Sequence, residues 1–231
     1  MSVLGATTIG AGTKVHAQAA LGGPPQNHGH KGGRTTLTIG RNCTIREGVT
    51  MNLGTDTSRG ATTVGDNGSF FAYAHIAHDC IVGNDVIFAS SATLGGHSEV
   101  GDQVFVGGLS AVHQRTRIGH QVMIAGVTGV RSDVIPYGFA IGPTAWLDGL
   151  NVVGMQRRQF TRARLQKVRR FYQQLFHGPG LFADRLRELK QQPFDEPAIS
   201  EIIAFIDASH DRALCLPRPT RRTAPAGGWR R

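Results

Sequence analysis

The sequence predicts an all-β solenoid, a parallel β-helix of three-sided coils, with a small α-helical domain following it. Three observations predict this. Apolar residues recur every six positions through the middle of the chain. Glycine is concentrated early, with 26 of 31 residues falling before position 151. Apolar spacings of three and four, the mark of a helix, dominate only after Thr161.

The six-residue period is the strongest signal. From Val64 it runs through Phe70, Ile76, Val82, Phe88, Leu94, Val100, Val106, Val112, Ile118 and Ile124 to Val130, without a polar residue. The same spacing appears earlier as Ile9, Val15, Leu21 and as Ile39, Ile45, Met51. Residues two before these positions are mostly small, as at Ala74, Cys80, Ala92, Ser98, Ser110, Thr116 and Thr128. Neither a heptad nor a 3.6-residue helix repeats in six. Six residues leave no room for a helix between parallel strands. The period fits two-residue strands joined by tight turns, three to a coil, with residue i lying over residue i − 18. Glycine often follows the apolar residue, as at Gly65, Gly83, Gly101 and Gly119, and is read as the turn residue with positive φ.

Two segments interrupt the repeat. Gly22–Gly33 (GGPPQNHGHKGG) is polar and glycine-rich, although the phase continues across it. Between Met51 and Val64 the spacing is 13, which breaks phase around Asn52–Ala61. Both read as loops leaving the coil, at 22–33 and 52–61. The repeat fades after Val130, and Val134–Gly149 reads as a closing coil. Thr161 is a candidate N-cap for a helix carrying Leu165, Val168, Tyr172, Leu175 and Phe176, ended by HGPG at 177–180. Leu181–Gln191 and Ala198–Ala208 read as two more helices. The predicted organisation is a solenoid at 1–150, helices at 151–216 and a disordered tail at 217–231.

Charge divides the same way. Residues 1–150 hold nine basic and nine acidic side chains, whereas residues 151–231 hold sixteen and seven, so the net +9 lies wholly in the last third. That part can meet an acidic partner, and it carries no aromatic platform or recognition-helix signature for nucleic acid. Cys43, Cys80 and Cys215 are far apart and odd in number, which fits no zinc pattern or disulfide framework. With no signal segment and no long apolar run, the expectation is a cytoplasmic protein without a membrane span.

The histidines carry the chemistry. His75, His78 and Asp79 stand in YAHIAHD, His97 in TLGGHSE and His113 in SAVHQRT. One coil step of 18 takes His78 to Gly96, next to His97, and His113 falls two residues short of the following step. His78, His97 and His113 can therefore cluster along one edge of the prism. Asp79 can orient an imidazole, and the amide of Gly95 or Gly96 can approach an oxyanion. Spacing alone leaves acid–base catalysis, a metal site and a structural role open. No nucleotide-binding glycine loop is present.

Together with the six-residue repeat, the segments GGPPQN, TIREGVT, AHIAHDC, ATLGGH, GGLSAVHQ, IPYG and GLNVVGMQRR resemble the UDP-N-acetylglucosamine O-acyltransferases, which open lipid A synthesis in Gram-negative bacteria. The likeness runs from about Leu21 to Tyr172. It implies a left-handed parallel β-helix with a C-terminal helical domain, assembled as a homotrimer with sites between subunits. It implies transfer of an R-3-hydroxyacyl group from acyl carrier protein to the sugar 3-hydroxyl, without metal or other cofactor. His78 matches the general base, Asp79 its orienting carboxylate and Gly96 the oxyanion amide. His75, His97 and His113 match ligand-contacting histidines, and Asn151, Arg157 and Arg158 match residues near the nucleotide and pantetheine arm. Gly126 matches the position that limits acyl length.

This chain departs from the family pattern at several positions. Asn27 and Gly29 replace a common Asp and Lys, Asn52 a common His, and Val153 a Glu found in some members. The first residue also falls some two coils later than in typical members. A 3-amino sugar nucleotide as acceptor, or a non-catalytic trimeric scaffold, are the alternatives these departures raise.

Overall fold

The computed structural model describes residues 1–209 and 212–218. Residues 219–231, most of the segment read as a disordered tail, lie outside them. The chain from Met1 to Leu150 forms a three-sided parallel coil stack. Face A has seven strands, face B six and face C eight, and each face takes every third strand in chain order until the closing hairpin, both strands of which join face C. Most strands are two residues long. Pairing follows the predicted coil step: His75 pairs with Thr93, Ile81 with Glu99, and Ile87 with Phe105.

Burial explains the period. Each of the twelve residues from Val64 to Val130 is at most 4% exposed. The small residues two positions earlier, Ala74, Cys80, Ala92, Ser98, Ser110, Thr116 and Thr128, are also buried. A large and a small side chain thus share faces A and B of a narrow core, whereas on face C the companions are buried Val86, Val104 and Val122, and each large side chain contributes about 1.5–3 kcal/mol. Phe70 and Phe88 stack one coil apart with centroids 5.4 Å apart.

Glycine has a different role from the expected one. Gly65, Gly83, Gly101 and Gly119 do not take positive φ. That conformation falls two residues later, on Asn67, Asp85, Gln103 and Gln121, with φ between 54° and 60°. The glycines instead form a column on the edge between faces B and C. There each N–H donates to the coil above, as from Gly83 to Val100 O at 2.8 Å. A Cβ on Gly65 would meet the Gly83 carbonyl at 2.8 Å, and one on Gly101 the His120 nitrogen at 2.6 Å. Close stacking of backbones, rather than turn geometry, requires glycine here.

Two insertions leave the stack. Leu37 of face B pairs with Thr62, a step longer than the regular one by seven positions. Ala20 pairs with Thr50, a step longer by twelve, which is two whole repeats. That is why phase survives the first loop and not the second. The loops are tied together: the Asp56 carboxylate accepts from the backbone N–H of Lys31 and Gly33 and pairs with His30 Nδ1 at 3.1 Å.

The stack closes with an antiparallel hairpin, Gly138–Ile141 against Trp146–Leu150, where the sequence suggested a coil. Four helices follow: α1 (Val152–Arg157), α2 (Arg162–His177), α3 (Phe182–Lys190) and α4 (Pro197–Asp207). Thr161 caps α2 by accepting from Arg164 N at 3.3 Å. Helix α1 escaped the sequence reading because six residues show no period. Arg117 on face B rivets the helices to the stack. Its guanidinium pairs with buried Asp133 at 2.8 Å, donates to the carbonyls of Phe205 and Ala208, and stacks over the Phe205 ring at 4.3 Å.

Candidate active site

The edge between faces A and B gathers most of the predicted chemistry. His78 leaves the face A strand His75–Ile76, and its ring is buried at 6% exposure. Its Nδ1 lies 2.9 Å from Asp79 Oδ2. The next coil brings Gly96 over His78 so closely that a Cβ there would meet ring atoms Cε1 and Nε2 at 2.6 and 2.7 Å. Only glycine admits that approach. The Gly96 N–H donates to no acceptor among the described residues. His97 donates its amide to His78 O at 2.9 Å and sets its ring edge-on to His78, centroids 4.9 Å apart. Asp79 and His97 occupy equivalent left-handed turn positions one coil apart, at φ 59° and 62°.

The second inserted loop completes the edge. Thr55 donates its N–H and its hydroxyl to the Asp79 carboxylate, the latter at 2.7 Å, and Gly60 adds its N–H at 3.1 Å. Arg59 Nη1 donates to the Asp79 carbonyl at 2.9 Å while Nη2 holds Glu99 at 2.6 Å. Ser58 Oγ lies 3.2 Å from His97 Nδ1. Sequence reasoning missed Thr55, Ser58, Arg59 and Gly60, because a phase break reveals a loop and not where it folds.

Burial by itself would raise the Asp79 carboxyl. The hydrogen bonds from Thr55 and His78 overcome it and hold the group below the ordinary carboxylate value. Burial lowers His75, with His78 adding to the effect. Burial also lowers His97, opposed by Asp79 and reinforced by Arg115. Neutral imidazoles can accept as well as donate, which suits ligand contact. His75 Nδ1 is paired with Thr50 Oγ1 at 2.7 Å. One ligand atom each from His78, Asp79 and His97 lies within 4.8 Å of the others, a set that could hold a divalent ion. In the described arrangement both Nδ1 atoms instead face Asp79 Oδ2, at 2.9 and 3.8 Å, as in an imidazole–carboxylate relay.

Of the other predicted residues, only His113 shares this edge. His113 stands on the same edge one coil beyond Gly95, exposed, its Nδ1 3.1 Å from Gln114 O. Gly126 lies on the edge between faces C and A, exposed, where an added Cβ would be 3.3 Å from Gly108 O. Asn151, Arg157 and Arg158 flank face C at a cavity of about 790 Å³, lined also by Ile87, Phe105 and Met123. Two of these three polar side chains are already engaged. Asn151 caps α1 through Gly154 N and donates to Gln121 O, and Arg158 donates to Gly154 O and Gln103 O. Arg157 remains exposed at the cavity.

A family model for the second domain of UDP-N-acetylglucosamine O-acyltransferase matches residues 133–215. The acyl-[acyl-carrier-protein]--UDP-N-acetylglucosamine O-acyltransferase of Mesorhizobium japonicum is 54% identical over 217 residues, spanning 94% of this chain and 78% of its own. The chain belongs to the UDP-N-acetylglucosamine O-acyltransferase family. The Azorhizobium caulinodans member is 56% identical over 217 residues, 94% of this chain and 80% of its own. The solved Moraxella catarrhalis UDP-N-acetylglucosamine O-acyltransferase superposes with a TM-score of 0.85 at 33% identity, covering 91% of this chain and 81% of that one. The coil stack is thus the family's left-handed parallel β-helix with its C-terminal helical domain. Among the described residues no helix is long and apolar enough to cross a membrane.

A lowered carboxyl makes a signed prediction for this family member. The stabilisation from ionised Asp79 is complete above its unfolded value of about 3.9 and is lost as pH falls through the lower folded value. Asp79→Asn should therefore melt below wild type near neutrality, and the gap should close only below about pH 4. Melting curves across that range check it, and a gap that persists unchanged in acid contradicts it.

Proposed function

We propose that this chain transfers an R-3-hydroxyacyl group from acyl carrier protein to the 3-hydroxyl of UDP-N-acetylglucosamine, with His78 as general base. The observation that carries the reading is the buried His78–Asp79 pair under the free amide of Gly96. Asp79 holds the proton on Nδ1, which leaves Nε2 to take the sugar hydroxyl proton. The hydroxyl oxygen then attacks the thioester carbonyl, and the Gly96 N–H donates to the oxygen on which negative charge develops. Collapse expels the thiol sulfur, which recovers the proton from Nε2. His75, His97 and His113 border this point and suit contacts to the sugar nucleotide. His78→Ala should lower turnover by about 100- to 10,000-fold with the fold intact, and Asp79→Asn by less. Turnover above a tenth of wild type in His78→Ala would sink the base assignment. Mass analysis of product from matched 3-hydroxy and 3-amino sugar nucleotides decides the acceptor.

One chain keeps His78 and Arg157 on different sides of the prism. A homotrimer with each site between neighbours reconciles them. An exposed apolar edge supports it, with Tyr73 64%, Leu109 69% and Val127 65% exposed along faces C and A. Light scattering should give about 75 kDa, three copies of the chain. A fully active species of one chain's mass contradicts the shared site.

Acyl carrier protein is acidic as a class and suits the basic helices. Arg164 is committed to buried Glu196 and Lys167 to Asp195, so neither is free to meet a carrier. Arg162, Arg169 and Arg170 stay exposed on α2. Arg162→Glu with Arg169→Glu should raise KM for the carrier far more than for the sugar nucleotide. The defect should shrink between about 0.05 and 0.5 M salt, as screening removes both steering and repulsion. Equal effects on both substrates return these arginines to a solvated helix face.

A further inference from the structure

Asp79 is fully buried, and most of what holds its carboxylate comes from a segment that the solenoid does not need. Oδ1 accepts from Thr55 N and Gly60 N, at 3.0 and 3.1 Å. Oδ2 accepts from the Thr55 hydroxyl at 2.7 Å and shares the Thr55 N–H at 3.1 Å, and it faces His78 Nδ1 at 2.9 Å. Thr55 and Gly60 both lie in the seven-residue insertion, and Arg59 of the same loop grips the Asp79 carbonyl. Thr55 is itself fully buried, so it can touch no substrate.

We propose that Thr55 is a positioning residue for the acyl transfer, acting through Asp79 on His78. The inference rests on the reading of His78 as base. The Gly60 amide holds Oδ1 alone and the Thr55 amide is shared between both oxygens, so the two amides restrain the Oδ2 end of the carboxylate only weakly. The hydroxyl fixes the other end. With Oδ2 locked between Thr55 Oγ1 and His78 Nδ1, the imidazole keeps its proton on Nδ1 and its Nε2 toward the hydroxyl to be acylated. Without the hydroxyl, Oδ2 loses its shortest donor in a fully buried site and keeps only a shared amide, the carboxylate turns toward Oδ1's partners, and the ring loses the alignment on which proton transfer depends.

The experiment is steady-state kinetics of the full chain with acyl carrier protein donor and sugar nucleotide. Thr55→Val keeps shape and backbone while removing the hydroxyl. It should lower kcat about 10- to 100-fold with KM for either substrate within about twofold of wild type. Thr55→Ser should restore kcat to within about threefold, because it returns the hydroxyl without the methyl group. In an Asp79→Asn background, Thr55→Val should add little further loss, since the path through Asp79 is already cut. Should Thr55→Val not fold, Thr55→Ala against Thr55→Ser gives the same contrast. Unchanged kcat in the hydroxyl-less variant, a Ser variant as slow as it, or a loss seen only in KM overturns the proposal. The same series includes His78→Ala. An inactive His78→Ala beside an unaffected Thr55→Val overturns this inference alone, whereas an active His78→Ala overturns the base reading and this inference with it.

Discussion

Everything in this molecule depends on the hydrogen-bonded step from one coil to the next. Each short strand is too small to be stable alone, and it gains order only by pairing with the strands one coil before and one coil after it. That step sets which residues become neighbours along an edge. It lays Gly96 on the His78 ring and His97 against Asp79, so the candidate site is assembled from residues that local sequence would leave far apart. A residue added within the strands between His78 and Gly96, and not looped out as the two insertions are, would turn the second coil out of register and dissolve the cluster. The uninterrupted run from Val64 to Val130 is what the site requires of the stack beneath it.

Much of this was legible in the sequence because a one-dimensional fold writes its core as a period. The inward apolar residues, their small companions and the step of 18 follow from counting, and the step alone takes His78 to Gly96. The less legible features have particular causes. Glycine after the apolar residue suggested positive φ, yet Asn67, Asp85 and even Val127 carry it, at φ 60°, 54° and 56°. The requirement on Gly65 and Gly101 comes from the neighbouring coil, which the local sequence does not contain. The charge excess of the last third does not say which basic residues are free, because pairing of Arg164 and Lys167 depends on Glu196 and Asp195, some thirty positions away. The grip of Thr55 on Asp79 was hidden for the same reason: it spans 24 residues across a break in phase.

That break has a physical logic. In the regular stack, the strand amides are consumed by the ladder between coils. At the edge between faces B and C, turn side chains take only the spare corner amides. Asp66 accepts from Arg41 N, Asn84 from Asp66 N and Asp102 from Asn84 N, one each, in partly exposed positions. A regular coil therefore has little with which to hold a fully buried carboxylate, whose desolvation must be offset by several donors. The seven-residue insertion escapes the ladder, so the N–H groups of Thr55 and Gly60 are unspent and can converge on Asp79. The solenoid supplies the imidazole, the glycine and their register, and the loop supplies the donors that let the carboxylate beside them stay ionised without water. The irregularity in the repeat falls where the chemistry needs backbone that the repeat cannot spare.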